Sequence, residues 1–192
     1  MMDANELRAY IGAHFTKTLF RLETLPAYGV PSEGSDFARY LAGESGPTPE
    51  RRQQWLSRLD NEVARVLRRR RVHAVDLPLS DYLRFECEWS YAGNPWEEIR
   101  ILELSADRPE MRRLVDATAG DFHLADDVHL IRMYYTARGE PLGAEADTSP
   151  ASVTAYRRIA DMVWSQAEPF EQWWAANQQF HRDFPRPYGQ GH

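Results

Sequence analysis

Apolar positions along this chain recur first with a helical period and later with a strand period. Over Asn5–Leu25, Leu7, Ile11, His14, Phe15, Thr18 and Leu22 fall at three-to-four spacing, which predicts a helix that Pro26 ends. Asp36–Ala42 predicts a short helix with Phe37, Tyr40 and Leu41 on its apolar side, and Gly43–Pro49 reads as a loop. Thr48 and Pro49 then open a long helix to about Arg70, with Trp55, Leu59, Val63, Val66 and Leu67 as its stripe. Arg68–Arg71 close it, where cations complement the helix dipole.

The second part of the chain changes period. Val72–Leu77 is a short apolar run of strand character, and Pro78 turns it. Ser80 and Asp81 stand at the start of a helix carrying Tyr82, Leu83, Phe85 and Trp89. Ala92–Pro95 is a turn. Glu98–Leu104 alternates, with Ile99, Ile101 and Leu104 leaning one way and Arg100 and Glu103 the other. Pro109–Ala117 is a short polar helix or loop. Phe122–Leu124 and Val128–Tyr135 form a hairpin about Ala125–Asp127, and Leu142–Ala146 adds a short strand. Ser149 and Pro150 open a last long helix with Val153, Tyr156, Ile159, Ala160, Val163, Trp164 and Ala167 on its buried face. Pro169 bends or ends it.

This order predicts one α/β or α+β domain over residues 1–181, with a helical N-terminal portion (1–70). Its centre is a mixed sheet of about five or six strands flanked by long helices. Residues 182–192 read as a flexible tail.

Composition narrows the function classes. A net charge of −6 disfavours direct nucleic-acid or membrane-surface binding, and no apolar run reaches the length of about 18 residues that a membrane span needs. Cys87 is the only cysteine, which excludes an intramolecular disulfide and a cysteine-based zinc site. A cytoplasmic protein is the expectation.

Candidate chemistry is sparse. Arg84, Glu86, Arg100, Asp121 and Asp126 are the candidate ligand-binding residues, converging on a cleft at the strand ends. Asp81 and Arg84 are three apart on a helix, so a local ion pair is the competing reading. His123, Asp126, Asp127 and His129 are the densest group of metal-ligating types, but Asp126 and Asp127 also suit a turn by their own chemistry. No metal and no cofactor is expected. Ser80 lacks a nucleophile-elbow context, and Cys87 reads as packing. Trp164, Phe170, Trp173 and Trp174 are too closely spaced for all to face one core, which marks the segment as a candidate interface.

Several blocks also carry a resemblance. LFRLETLPAYGVPSE, YLAGE, VHAVDLPLSDYLRFE, DFHLADD, GEPLGAE and VWSQAEPF, spread from Phe15 to Phe170, resemble an actinobacterial domain of unknown function. Members are commonly encoded beside helix-turn-helix regulators. The polar positions of its motifs fall on Arg21, Glu23, Asp81, Tyr82, Arg84, Glu86, Asp121, Asp126 and Glu145. This chain departs from the pattern at Trp96–Ile99, where the family shows Gly-Glu-Asp-Ile, and at His123, where it favours an aromatic residue. The second half is similar, more faintly, to degenerate phospholipase-D-like domains, whose active relatives use a His-x-Lys motif. Here Ala125 stands two residues after His123. The resemblance implies a non-enzymatic regulatory or interaction domain working with a helix-turn-helix regulator, with a homodimer as one arrangement. The alternative is a small-molecule-binding protein or enzyme with the polar cleft above.

Overall fold

Strands built from alternating residues must bury two faces when helices cover both sides, and this chain does so. The computed structural model describes residues 1–29, 34–46, 53, 57 and 67–182. Seven strands form one sheet in the order β6-β5-β4-β1-β2-β3-β7. They are β1 (Thr18–Glu23), β2 (Arg68–Val75), β3 (Glu97–Glu103), β4 (Phe122–Ala125), β5 (His129–Tyr135), β6 (Pro141–Asp147) and β7 (Glu168–Pro169). β1, β2 and β3 run parallel; β4, β5, β6 and β7 pair antiparallel with their neighbours. The helices are α1 (Ala4–His14), α2 (Gly34–Leu41), α3 (Asp81–Phe85), α4 (Pro109–Asp116), α5 (Pro150–Gln166) and α6 (Phe170–Ala176). The mixed α/β architecture is the one expected, with one strand more than the upper count.

One face of the sheet is apolar. Phe20, Leu22, Val72, Ala74, Leu102, Phe122, Leu124 and Leu130 meet Met111 and Val115 of α4 and Val153, Ala160 and Val163 of α5. The opposite face is covered by the segment after β2 and by the C-terminal aromatics: Tyr82, Leu83, Phe85, Cys87, Tyr91, Ile99, Ile101, Phe170, Trp173 and Trp174.

Three expectations are corrected. The N-terminal helix stops at His14, and Thr18–Glu23 is the central strand, so the N-terminal portion is not all helical. Leu19, Phe20 and Leu22 are all buried because β1 is covered on both faces, and a strand of that kind loses clean alternation. Arg68–Arg71 lie in β2, parallel to β1, and do not close a helix. The rest of the predicted long helix falls on 48–66, all but Gln53 and Ser57 outside the described residues, as does the tail from 183. Just past β3, Leu104 sits in the apolar core with Leu102, while Ile99 and Ile101 face the other side.

The remaining elements follow their local chemistry. Ser80 Oγ accepts from the Leu83 amide and caps α3. Asp126 and Asp127 both take positive φ (53° and 56°) at the centre of the turn that Val128 N–H closes on the Ala125 carbonyl at 3.1 Å. β7 is too short to show a period and is defined by its pairing with Arg100 and Ile101 of β3.

Candidate functional site

Strand register places a row of charged and polar side chains across the covered face. Arg21 of β1 pairs with Arg71 of β2 on one side and with His123 of β4 on the other. One step along, Glu23 pairs with His73; one step back, Arg69 pairs with Glu97 of β3. In strands the same residues two apart share a face, so Arg21, Glu23, Arg71, His73, His123 and Glu97 all project to one side. That side is roofed by a π-helical turn, Glu86–Tyr91, running on from α3. The wider turn closes with an i→i+5 bond, Ala92 N–H to Cys87 O at 3.0 Å. It also brings Glu86 and Tyr91, five residues apart, to a 2.9 Å contact. Turns of this kind are frequent at functional sites.

Arg71 is the hub. Its Nη2 donates to Glu97 at 2.9 Å, its Nη1 donates to Glu23 at 3.1 Å and to the Tyr91 hydroxyl at 3.1 Å, and Glu86 lies 3.6 Å away. Burial works against its charge, but Glu97, Tyr91 and Glu86 outweigh that cost and hold the guanidinium firmly protonated. Arg21 shares Glu97, donating at 2.8 Å and 3.1 Å to its two oxygens.

His73, Tyr91 and Glu86 form a second group. His73 is almost fully buried, and its Nε2 lies 3.2 Å from the Leu25 carbonyl, which can only accept. That fixes the tautomer with the proton on Nε2, and Nδ1 then accepts from Tyr91 Oη at 2.9 Å. The one phenol proton also faces Glu86 Oε2 at 2.9 Å. The single phenol proton serves one of these two acceptors at a time. Burial lowers the His73 pKa and raises that of Tyr91 well above its usual value.

Three nitrogens of this row have no hydrogen-bond partner among the described residues. They are Arg21 Nε, Arg71 Nε and His123 Nδ1, all buried. His123 is 9% exposed. Burial, reinforced by Arg71 and Arg69, lowers its pKa to about 4, so it is a neutral imidazole at pH 7. Buried unsatisfied donors are uncommon in folded proteins. Here two such donors, the arginine Nε groups, stand beside an unmet imidazole nitrogen on neighbouring strands. Beside the cluster a groove of about 240 Å³ is lined by Tyr91, Glu97, Glu98, Ile99, Phe170 and Glu171, among others.

The residues expected from sequence divide between this cluster and other tasks. Glu86 belongs to it. Asp121 borders it, accepting from the Thr24 amide at 2.8 Å, the Thr24 hydroxyl at 2.7 Å and Tyr28 Oη at 2.6 Å. Arg84 donates to the Phe180 carbonyl at 2.7 Å and lies 3.7 Å from Asp81, so it ties α3 to the C-terminal segment. Arg100 points to the opposite face, stacks over Trp164 at 4.4 Å and donates to the Trp164 and Ala167 carbonyls at 3.2 Å. Asp126 accepts from the amides of Thr16, Lys17 and Thr18 at 2.8–3.0 Å and from the Thr16 hydroxyl. The five residues therefore do not converge on one cleft.

The metal-ligating group does not assemble either. His129 pairs opposite Ala125 and stacks on His14 at 4.1 Å, and no set of three His, Cys, Asp or Glu is placed to hold a metal among the described residues. Phe170, Trp173 and Trp174 are buried against β3 and Trp164 is half-buried, so the exposed aromatic patch that marked an interface is not there. Burial raises the Cys87 thiol well above its usual pKa, in keeping with packing.

Sequence reasoning missed Arg71, His73, Tyr91, Glu97 and His123 as members of one site. The signal was present in β2, where Arg71 and His73 alternate with Val72 and Ala74.

The profile of a family described as a domain of unknown function (DUF6879) matches residues 5–175. The chain belongs to that family. No curated protein and no solved structure matches it. Among the described residues of this DUF6879 chain, no helix is long and apolar enough to cross a membrane.

Proposed function

We propose that this chain binds a small polar molecule in the cluster roofed by the π-helical turn. The observation that carries the reading is the row of unsatisfied buried nitrogens, His123 Nδ1, Arg21 Nε and Arg71 Nε, on three adjacent strands. Leaving a buried donor unmet costs about 1–3 kcal/mol per group. A bound molecule that supplies acceptors removes that cost. The ion pairs around Arg71 then act as the frame that holds the donors in place. In this reading, the helix-turn-helix partner implied by the family resemblance receives occupancy of the site as its signal.

Native mass spectrometry of the purified protein, together with a metabolite-library thermal shift, tests the proposal. A compound at a hundred times its Kd is expected to raise the Tm by roughly 5–10 °C. The same compound should leave the Tm of His123→Leu unmoved. A library that shifts both proteins equally, or neither, would overturn the assignment.

A further inference from the structure

We infer that the stacked imidazoles of His14 and His129 form an acid-released latch that holds α1, and Met2 with it, on the β5–β6 side of the sheet. No side chain of α1 is buried, so the helix is held by surface contacts. Met2 exchanges two backbone hydrogen bonds with Ala144 of β6, at 2.6 and 3.0 Å. Ile11 packs against Phe15, Leu19 and Ala125, and Tyr10 Oη lies 2.8 Å from His129 Nδ1. The ring stack joins these contacts: the His14 and His129 centroids are 4.1 Å apart with 27° between the planes. Tyr10 completes the group, 4.4 Å from His14 and 5.6 Å from His129.

A neutral pair stacks freely and tolerates one proton, but two imidazolium rings in contact repel. The docked pair therefore resists its second proton, and the released helix does not. Burial, then His14, lower the His129 pKa from its usual 6.5, and Asp126 acts the other way without reversing the direction. The neighbouring charged groups have partners of their own. Asp126 accepts from the Lys17 and Thr18 amides at 2.8 Å, Asp127 faces Arg157 at 3.8 Å, and Asp147 of β6 faces Arg132 at 3.1 Å. Burial raises the Tyr10 pKa, so the phenol stays neutral throughout. As pH falls below 6.5 the released form takes up more protons than the docked one, so docking held above that pH is lost below it. Release bares the edge of β6 at Ala144, and an unpaired strand edge is a template for another strand.

The test is hydrogen–deuterium exchange of the full chain, read by mass spectrometry at about pH 7.5 and 5.5 and corrected for intrinsic exchange. Opening of α1 and of the Ala144 amide should increase about fivefold at the lower pH, since one withheld proton is worth up to about tenfold per pH unit. His14→Phe keeps a ring against His129 and removes one of the two charges. His129→Gln removes the other and leaves a polar partner for Tyr10. In both variants the increase should vanish. Equal opening of the native segment at the two pH values, or the same increase in the two variants, would overturn the latch.

Discussion

On β1 and β2, residues one step apart live in different surroundings. Phe20, Leu22, Val72 and Ala74 meet α4 and α5 in a dry core. Arg21, Glu23, Arg71 and His73 turn the other way and meet one another, Tyr91 and Glu97. Both faces are covered, so the second is not a solvated surface. The apolar face is held by burial of apolar surface. The charged face spends desolvation energy that ion pairs recover only in part, and apolar replacements of the same volume often do as well or better. Three nitrogens left unmet on that face are what stability alone does not explain.

The largest effect should come from removing the hub. Arg71→Met leaves Glu23, Glu86 and Glu97 without their shared cation, and should cost about 3–5 kcal/mol in urea unfolding. A loss under about 1 kcal/mol would mean that the network is already dispensable. On the dry face, Leu22→Ala removes a fully buried side chain and should cost about 3 kcal/mol, with the pH dependence of stability unchanged.

Acid should separate the faces further. The His123 pKa is lowered from 6.5 to about 4, so the unfolded chain takes up the proton first as pH falls. Stability held above pH 6.5 is therefore lost between about 6.5 and 4, by about 3 kcal/mol, and His73 adds in the same direction. His123→Leu should flatten that part of the profile, which chemical denaturation across pH will show. An unchanged slope would place the titration elsewhere. At the small end, Arg112→Ala breaks an exposed pair with Asp76 and a hydrogen bond to the Leu104 carbonyl, and should shift the urea midpoint least of these variants.

How much of this was legible depended on how local the cause was. The hairpin turn at Asp126–Asp127, the Ser80 cap and the start of α5 at Pro150 rest on chemistry within a few residues, and each is where the sequence puts it. Phe15, Thr18 and Leu22 also fit a helical spacing, and only the neighbours β2 and β4 make β1 a strand. The arginines of β2 look like a helix end until β1 pairs with them. β7 exists only through β3. For the site, the sequence offers Glu86 and Asp121 among candidate ligands, and Arg21 and Glu23 among the motif positions. Their assembly with Arg71, His73, Tyr91, Glu97 and His123 depends on register across four strands and on the π turn, which no local pattern encodes.

The most direct test of the claim that the charged face is kept for binding is the Tm of His123→Leu, with and without a metabolite that stabilises the native protein. Without it, the variant should melt at or above the native temperature, because an unmet buried nitrogen is replaced by apolar contact. With it, the variant should show no shift while the native protein does. A variant that melts several degrees lower yet keeps the ligand's full shift would make His123 a structural residue and contradict the account.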